Sequence, residues 1–174
     1  MKNTLLKISF VLSLFSILVY AIPTFSSDVD THIIKKNVQA EFDKQQECLA
    51  KNIYYEAARE PYEGKMAVAQ VTLNRAKDPQ FPKTICGVVY QRTKSMGQTI
   101  CQFTWTCEHV SAEKNEYLWE EAKYIARKAL TQPIAHSIIK KTNAMFYHAD
   151  YVHPKWKNEK VVLKVGRHIF YAKV

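Results

Sequence analysis

The residue of this sequence best suited to acid–base chemistry is Glu56, which sits in IYYEAARE between Tyr54-Tyr55 and Ala57-Ala58. Neighbours of that kind keep water away from a carboxylate. Loss of water disfavours the charged form, raises the proton affinity and makes a glutamate useful as a general acid near neutral pH. The plainer explanation is an ordinary glutamate on a helix surface, because perturbed carboxylates also occur in structural settings. A second group of interest is Gln102-Phe103-Thr104-Trp105, enclosed by Cys101 and Cys107. Aromatic faces interleaved with an amide and a hydroxyl suit stacking on a polar ring and hydrogen bonding to its substituents. Phe103 and Trp105 would equally serve as apolar anchors of a long loop. Farther on, Tyr147 offers a hydroxyl to Glu56 or to a ligand, and His148 follows it directly.

Other chemistries fit less well. The histidines His109, His136, His148, His153 and His168 form no HExxH or other tight metal pattern, so no zinc site and no cofactor is expected. Cys48, Cys86, Cys101 and Cys107 are an even set without a CxxC pair, which suits two disulfides with any of three connectivities. A cysteine peptidase using Cys48 or Cys86 is the competing reading, and thiol titration of the unreduced protein separates the two. For a second carboxylate near Glu56, Glu60 and Glu63 are the candidates. Glu60 lies one helical turn on, where contact with backbone or a basic side chain is the simpler role.

These residues need elements to hold them. Residues 41–59 lack Pro and Gly and place Leu49, Ile53 and Ala57 at i, i+4 and i+8, which predicts a helix with Glu56 near its end. Pro61 suits the start of a second helix over 62–76, where Met66, Ala67, Val68, Ala69, Val71 and Leu73 predict burial on most sides. Thr84 caps a short helical segment over 84–91. Residues 92–110 read as a long irregular loop, and such loops are often functional. Ser111 is a candidate N-cap for a helix over 112–130 with Leu118, Ala122, Ile125 and Ala129 on one face. The tail 160–174 alternates around Gly166 and predicts a terminal β-hairpin.

The N-terminus carries Lys2 and Lys7 ahead of an apolar run over 8–22, followed by small polar residues. Residues 1–27 therefore read as a signal peptide, with Val19-Tyr20-Ala21 before the cut, or as an uncleaved membrane anchor. Residues 28–44 read as a linker and 45–174 as one domain, expected to be monomeric. Without Lys2 and Lys7, 23 of the 25 basic side chains remain against 16 acidic ones, a formal charge of +7. Such a surface favours a polyanionic partner, and export makes nucleic acid a poor one.

The segment CLAKNIYYEAAREPYEGKMAVAQVTLNRAKDPQFPKTICGVVYQ, followed by CQFTWTC, AMFYHADYVHPKW and VGRHIFYAKV, resembles the cell-wall hydrolases related to spore-cortex-lytic enzymes over about residues 47–172. The resemblance implies a mainly α, α+β fold: a lysozyme-like helical domain with a small C-terminal β-hairpin. It implies an enzyme that cuts peptidoglycan between N-acetylmuramic acid and N-acetylglucosamine, as a lytic transglycosylase or a muramidase. Glu56 would then be the catalyst, with Gln102, Phe103, Thr104, Trp105, Phe146 and Tyr147 lining the glycan groove. The chain departs from the usual pattern at Ala58-Arg59, where Arg-Gly is common in the family. A non-catalytic wall-binding module is the alternative.

Overall fold

The computed structural model describes residues 27–108, 115–132, 143–154 and 159–173. The expected signal segment, Ser111, His109, His136 and Trp156 lie outside them. Residues 40–174 form one compact unit, separate from residues 1–39.

Helix α1 runs Ser27–Ala57. It starts well before residue 41 and covers the stretch expected as a linker. Residues 27–57 contain no Pro or Gly, and pairs at helical spacing support the exposed part: Gln45 to Glu41 at 2.6 Å and Lys51 to Glu47 at 2.8 Å. Helix α2 spans Tyr62–Lys77, preceded by Pro61 in extended conformation. Helix α3, Ile85–Val89, is capped by Thr84, whose hydroxyl accepts from the Gly87 amide at 3.0 Å. Helix α4, Glu116–Thr131, takes Asn115 as its N-cap, and the Asn115 side chain accepts from the Leu118 amide at 3.1 Å.

The stretch 92–110 holds more regular structure than its composition suggests. Strands β1, Arg92–Ser95, and β2, Gln98–Cys101, pair antiparallel and lead into a 3-10 turn at Thr104–Thr106. Met96 and Gly97 both have positive φ, 52° and 78°, as a two-residue hairpin turn of type I′ requires. Methionine is an unusual occupant of that conformation, so the usual Asn-Gly signal is missing.

The C-terminal hairpin, β4 Glu159–Val165 and β5 His168–Lys173, has a third partner that the sequence reading missed. Strand β3, Ala144–Ala149, pairs antiparallel with the other edge of β5, giving the order β3-β5-β4. The small hairpin is thus a three-stranded sheet, and β3 is the strand that brings Tyr147 to the helices. Gly166 turns the hairpin at φ 57°. A Cβ there would lie 1.8 Å from a Glu60 carboxylate oxygen, which instead accepts the Arg167 amide at 2.9 Å. Glu60 thereby fastens the sheet to the α1–α2 corner.

Leu49, Ile53 and Ala57 of α1 are buried, as are Met66, Ala67, Val68, Ala69 and Val71 of α2 and Ala122, Ile125, Ala126 and Ala129 of α4. Phe170 of β5 closes this core. One ion pair enters it: Lys65 of α2 is buried and meets Glu121 of α4 at 2.5 Å. Asn52, fully buried, donates to the Thr72 hydroxyl at 3.2 Å and ties α1 to α2 through a satisfied polar pair. Two disulfides complete the frame. Cys48–Cys86 joins α1 to α3, and Cys101–Cys107 closes the loop after β2.

Candidate active site

Glu56 lies in the last turn of α1, just before the chain turns at residues 58–60. Its carboxylate faces a small cleft of about 150 Å³ lined by Glu56, Arg75, Gln102, Phe103, Thr104 and Tyr147. Three separate elements therefore converge on it: α2 supplies Arg75, the cysteine-closed loop supplies Gln102 to Thr104, and β3 supplies Tyr147. The Tyr147 hydroxyl donates to Glu56 Oε2 at 3.1 Å.

Burial pushes the Glu56 carboxyl above the usual carboxylate range. The Tyr147 hydrogen bond and the Arg75 charge pull it partly back. Burial and the neighbouring Glu56 carboxylate raise the Tyr147 phenol well above its ordinary value, so it stays a hydrogen-bond donor. Glu56 is thus a carboxyl of raised proton affinity with a neutral donor beside it. That arrangement suits a group that gives up a proton and later takes one back.

Among the described residues Glu56 is the one carboxylate lining this cleft. Glu60 is committed to the Arg167 amide, the backbone role that its position suggested, and Glu63 is exposed. No group of three or more His, Cys, Asp or Glu able to hold a metal occurs among the described residues.

Of the residues singled out in the sequence, Gln102, Phe103, Thr104 and Tyr147 meet Glu56 in the cleft, but they differ in what they offer. Thr104 is exposed and Gln102 half-buried, so both can reach a ligand. Phe103 is 4% exposed and belongs to the core, presenting little face to stack on. Phe146 covers the Arg75 guanidinium, with the guanidinium carbon 5.6 Å from the ring centroid.

Trp105 and His148, also candidates for substrate contact, are not among the residues lining this cleft. Trp105 stacks on Tyr55 at 4.6 Å, and its indole N–H donates to Asn52 Oδ1 at 3.3 Å, so one face and its polar handle serve the protein. It anchors the loop to α1. Trp105→Ala is accordingly expected to cost stability, about 3 kcal/mol at the lower end of the range for large aromatic truncations, since the ring is half-buried. If a glycan is held in the cleft, as the sequence resemblance implies, its affinity for the folded protein should be nearly unchanged. Parallel thermal melts and peptidoglycan pull-downs check this, and a large affinity loss with an unchanged melt would return Trp105 to the groove. His148 follows Tyr147 on a strand, where successive side chains point to opposite faces. Its Nε2 lies 2.7 Å from the Tyr171 hydroxyl, with the two rings stacked.

Arg75 is the residue that sequence reasoning passed over. It lies within VTLNRAKDP, where an arginine near a helix C-terminus looks like an ordinary surface cation. Of its neighbours Phe81, Phe103 and Phe146 only Phe81 is close in sequence, so the burial could not be read from the local segment.

The family description "Cell Wall Hydrolase" matches residues 59–171, most of the compact unit. The chain belongs to the cell wall hydrolase family. The match begins three residues after Glu56, so the family assignment does not rest on that residue. This cell wall hydrolase chain is 32% identical over 126 residues to a spore cortex-lytic enzyme of Oceanobacillus iheyensis, covering 71% of the chain and 40% of that protein. It is 49% identical over 43 residues to the spore cortex-lytic enzyme of Bacillus subtilis, covering 25% of the chain and 14% of that protein. The chain thus spans less than half the length of these relatives. In three dimensions the cell wall hydrolase fold is similar to the crystal structure of the catalytic domain of the Bacillus cereus SleB protein. That likeness has a TM-score of 0.51 at 29% identity, over 74% of this chain and 90% of that one. The catalytic domain of the germination-specific lytic transglycosylase SleB from Bacillus anthracis gives 0.52 at 25% identity, over 86% and 99%. The mainly helical, lysozyme-like α+β arrangement expected from the sequence is the one found.

Proposed function

We propose that this domain cleaves the glycan strand of peptidoglycan between N-acetylmuramic acid and N-acetylglucosamine, as a lytic transglycosylase with Glu56 as its one acid and base. The observation that carries the reading is a desolvated carboxyl, hydrogen-bonded by a phenol and the one carboxyl among the described residues of a cleft edged by exposed Thr104 and half-buried Gln102. Glu56 protonates the leaving glycosidic oxygen. Positive charge then develops at the anomeric carbon of the muramic sugar. With no second carboxylate among the described residues of the cleft to form a covalent adduct, the sugar's own 6-hydroxyl closes on that carbon, and its proton returns to Glu56. The product carries a 1,6-anhydro end. The lytic transglycosylase named among the solved neighbours supports this outcome over trapping by water.

Peptidoglycan lies beyond the cytoplasmic membrane, so the reading also assigns export to the N-terminal segment, and the excess of basic side chains suits an anionic wall. Mass spectrometry of products from purified peptidoglycan tests the proposal. Anhydro-muramyl ends are expected; reducing muramyl ends would make the enzyme a muramidase, and peptide fragments alone would overturn glycan cleavage. Because burial raises the Glu56 carboxyl, the acid form persists to higher pH than for an exposed glutamate. Activity should therefore decline as pH rises through that folded-state value, and pH profiles of soluble muropeptide release check it.

A further inference from the structure

Arg75 is an unusual feature for its position. It is 4% exposed, yet none of the ion pairs among the described residues includes it. Its Nε donates to the Met145 carbonyl of β3 at 2.7 Å. The guanidinium carbon lies 5.4 Å from the ring centroid of Phe81, 5.7 Å from that of Phe103 and 5.6 Å from that of Phe146. Nη1 is buried and has no hydrogen-bond partner among the described residues. A buried cation left without an anion is costly and is normally neutralised by a partner. The partner on hand is transient, because Arg75 and Glu56 line the same cleft.

We propose that Arg75 is a positioning residue for the proposed glycan cleavage: a fixed cation, gripped by β3 and three aromatic rings, that stabilises the Glu56 carboxylate left behind when the proton is given up. The grip matters as much as the charge. A guanidinium immobilised before the reaction needs no reorganisation when negative charge appears, and in a water-poor cleft its field is weakly screened. Aromatic faces tolerate a cation without offering it a counter-ion, which leaves the charge directed at Glu56.

The other groups facing Glu56 do not replace it. Tyr147 of β3 donates a neutral hydrogen bond. His168 of β5 reaches the site through the Tyr147 ring, 5.2 Å between centroids, and burial holds the imidazole toward its neutral form. Glu60 at the α1–α2 corner is occupied by the Arg167 amide, and the Gln102 to Thr104 wall carries no charge. The charge of Arg75 pulls the Glu56 carboxyl downward against the effect of burial, and Glu56 in turn favours the charged form of Arg75.

The activity part of this inference rests on the proposed function, whereas the electrostatic part does not, and the experiment separates them. Carbon-detected titration of glutamate side chains, with the Glu56→Gln protein identifying the Glu56 signal, should show Glu56 titrating at higher pH in Arg75→Gln than in the wild type. Arg75→Lys, which keeps the charge, should stay closer to the wild type. Turnover on peptidoglycan should fall roughly 10- to 100-fold in Arg75→Gln, and the alkaline limb of its pH profile should move upward. A reciprocal measurement needs no change at Arg75: its Nε resonance should show an inflection at the Glu56 titration in the wild type and lose it in Glu56→Gln. An Arg75 resonance without that inflection overturns the assignment. So does a Glu56 titration unchanged in Arg75→Gln, or a loss of activity that follows melting temperature with the pH profile unmoved. Coupled titrations without any glycan cleavage would leave the charge relation standing and sink only the proposed function.

Discussion

Glu56→Gln is expected to lose nearly all release of soluble muropeptides while keeping its fold and its binding to the wall. The amide matches the carboxyl in shape and can still accept the Tyr147 hydroxyl, which sits 3.1 Å from the native oxygen. It cannot donate the proton or take one back. General acid and base contributions are worth about 100- to 10,000-fold, which sets the size of the loss. Turnover within about threefold of the wild type, far inside that range, would remove Glu56 from the mechanism.

The same substitution has a stability signature with a definite sign. Burial raises the folded-state proton affinity of Glu56 above its unfolded value. The stability gained from the neutral carboxyl is fully present below the unfolded pKa and is lost as pH rises through the folded one. Glutamine cannot ionise and escapes that loss. Melting temperatures of the two proteins should therefore be close in acid, with Glu56→Gln increasingly the more stable on the alkaline side. A difference independent of pH would show that the carboxyl titrates as freely in the fold as in the unfolded chain.

Opening the Cys48–Cys86 disulfide should be the most damaging covalent change to the fold. The bridge spans 38 residues of sequence and Cys101–Cys107 only 6. In the chain-entropy account, closing loops of those lengths stabilises by about 4 and about 2 kcal/mol. Cys48 is also part of the core beside Leu49 and Ala50, so serine there adds a burial cost. Without the bridge, α3 stays joined to α1 through contacts such as the Cys86 amide donating to Gln45 at 2.9 Å. A Cys48→Ser/Cys86→Ser protein should melt on the order of 10 °C or more below the wild type. The Cys101→Ser/Cys107→Ser protein should lose less stability but proportionally more activity, because that short loop carries Gln102, Phe103 and Thr104 into the cleft. Denaturant titration alongside muropeptide release measures both. The idea fails if the two pairs cost the same or if the short-loop pair leaves activity untouched.

Helical spacing alone was enough to place Leu49, Ile53 and Ala57 on one buried stripe and Glu56 beside it near the end of the same helix. Adjacent side chains on a helix share one axis and rise, so their relative direction follows from residue number. The same logic recovered α2 and the body of α4, and an even cysteine count in a chain read as exported pointed to two disulfides. It failed where the decisive partner is remote in sequence. β3 is a short aromatic strand with an irregular pairing between Ala144 and Phe146, and only the open edge of β5 gives it a place. The β1–β2 hairpin turns through Met96, whose type carries no turn signal.

Side-chain roles divided along the same line. That Gln102 and Thr104 approach Glu56 was suggested by family resemblance, and tertiary packing decided that Phe103 faces the core and Trp105 faces Asn52 and Tyr55. That His148 is directed to the face of β3 opposite Tyr147 follows only once the strand and its pairing with β5 are known. Arg75 shows the limit most clearly. Its charge was visible in the sequence, but its burial depends on the rings of Phe103 and Phe146, both remote in sequence, as well as on nearby Phe81, and a field at Glu56 exists only once the fold has brought these groups together.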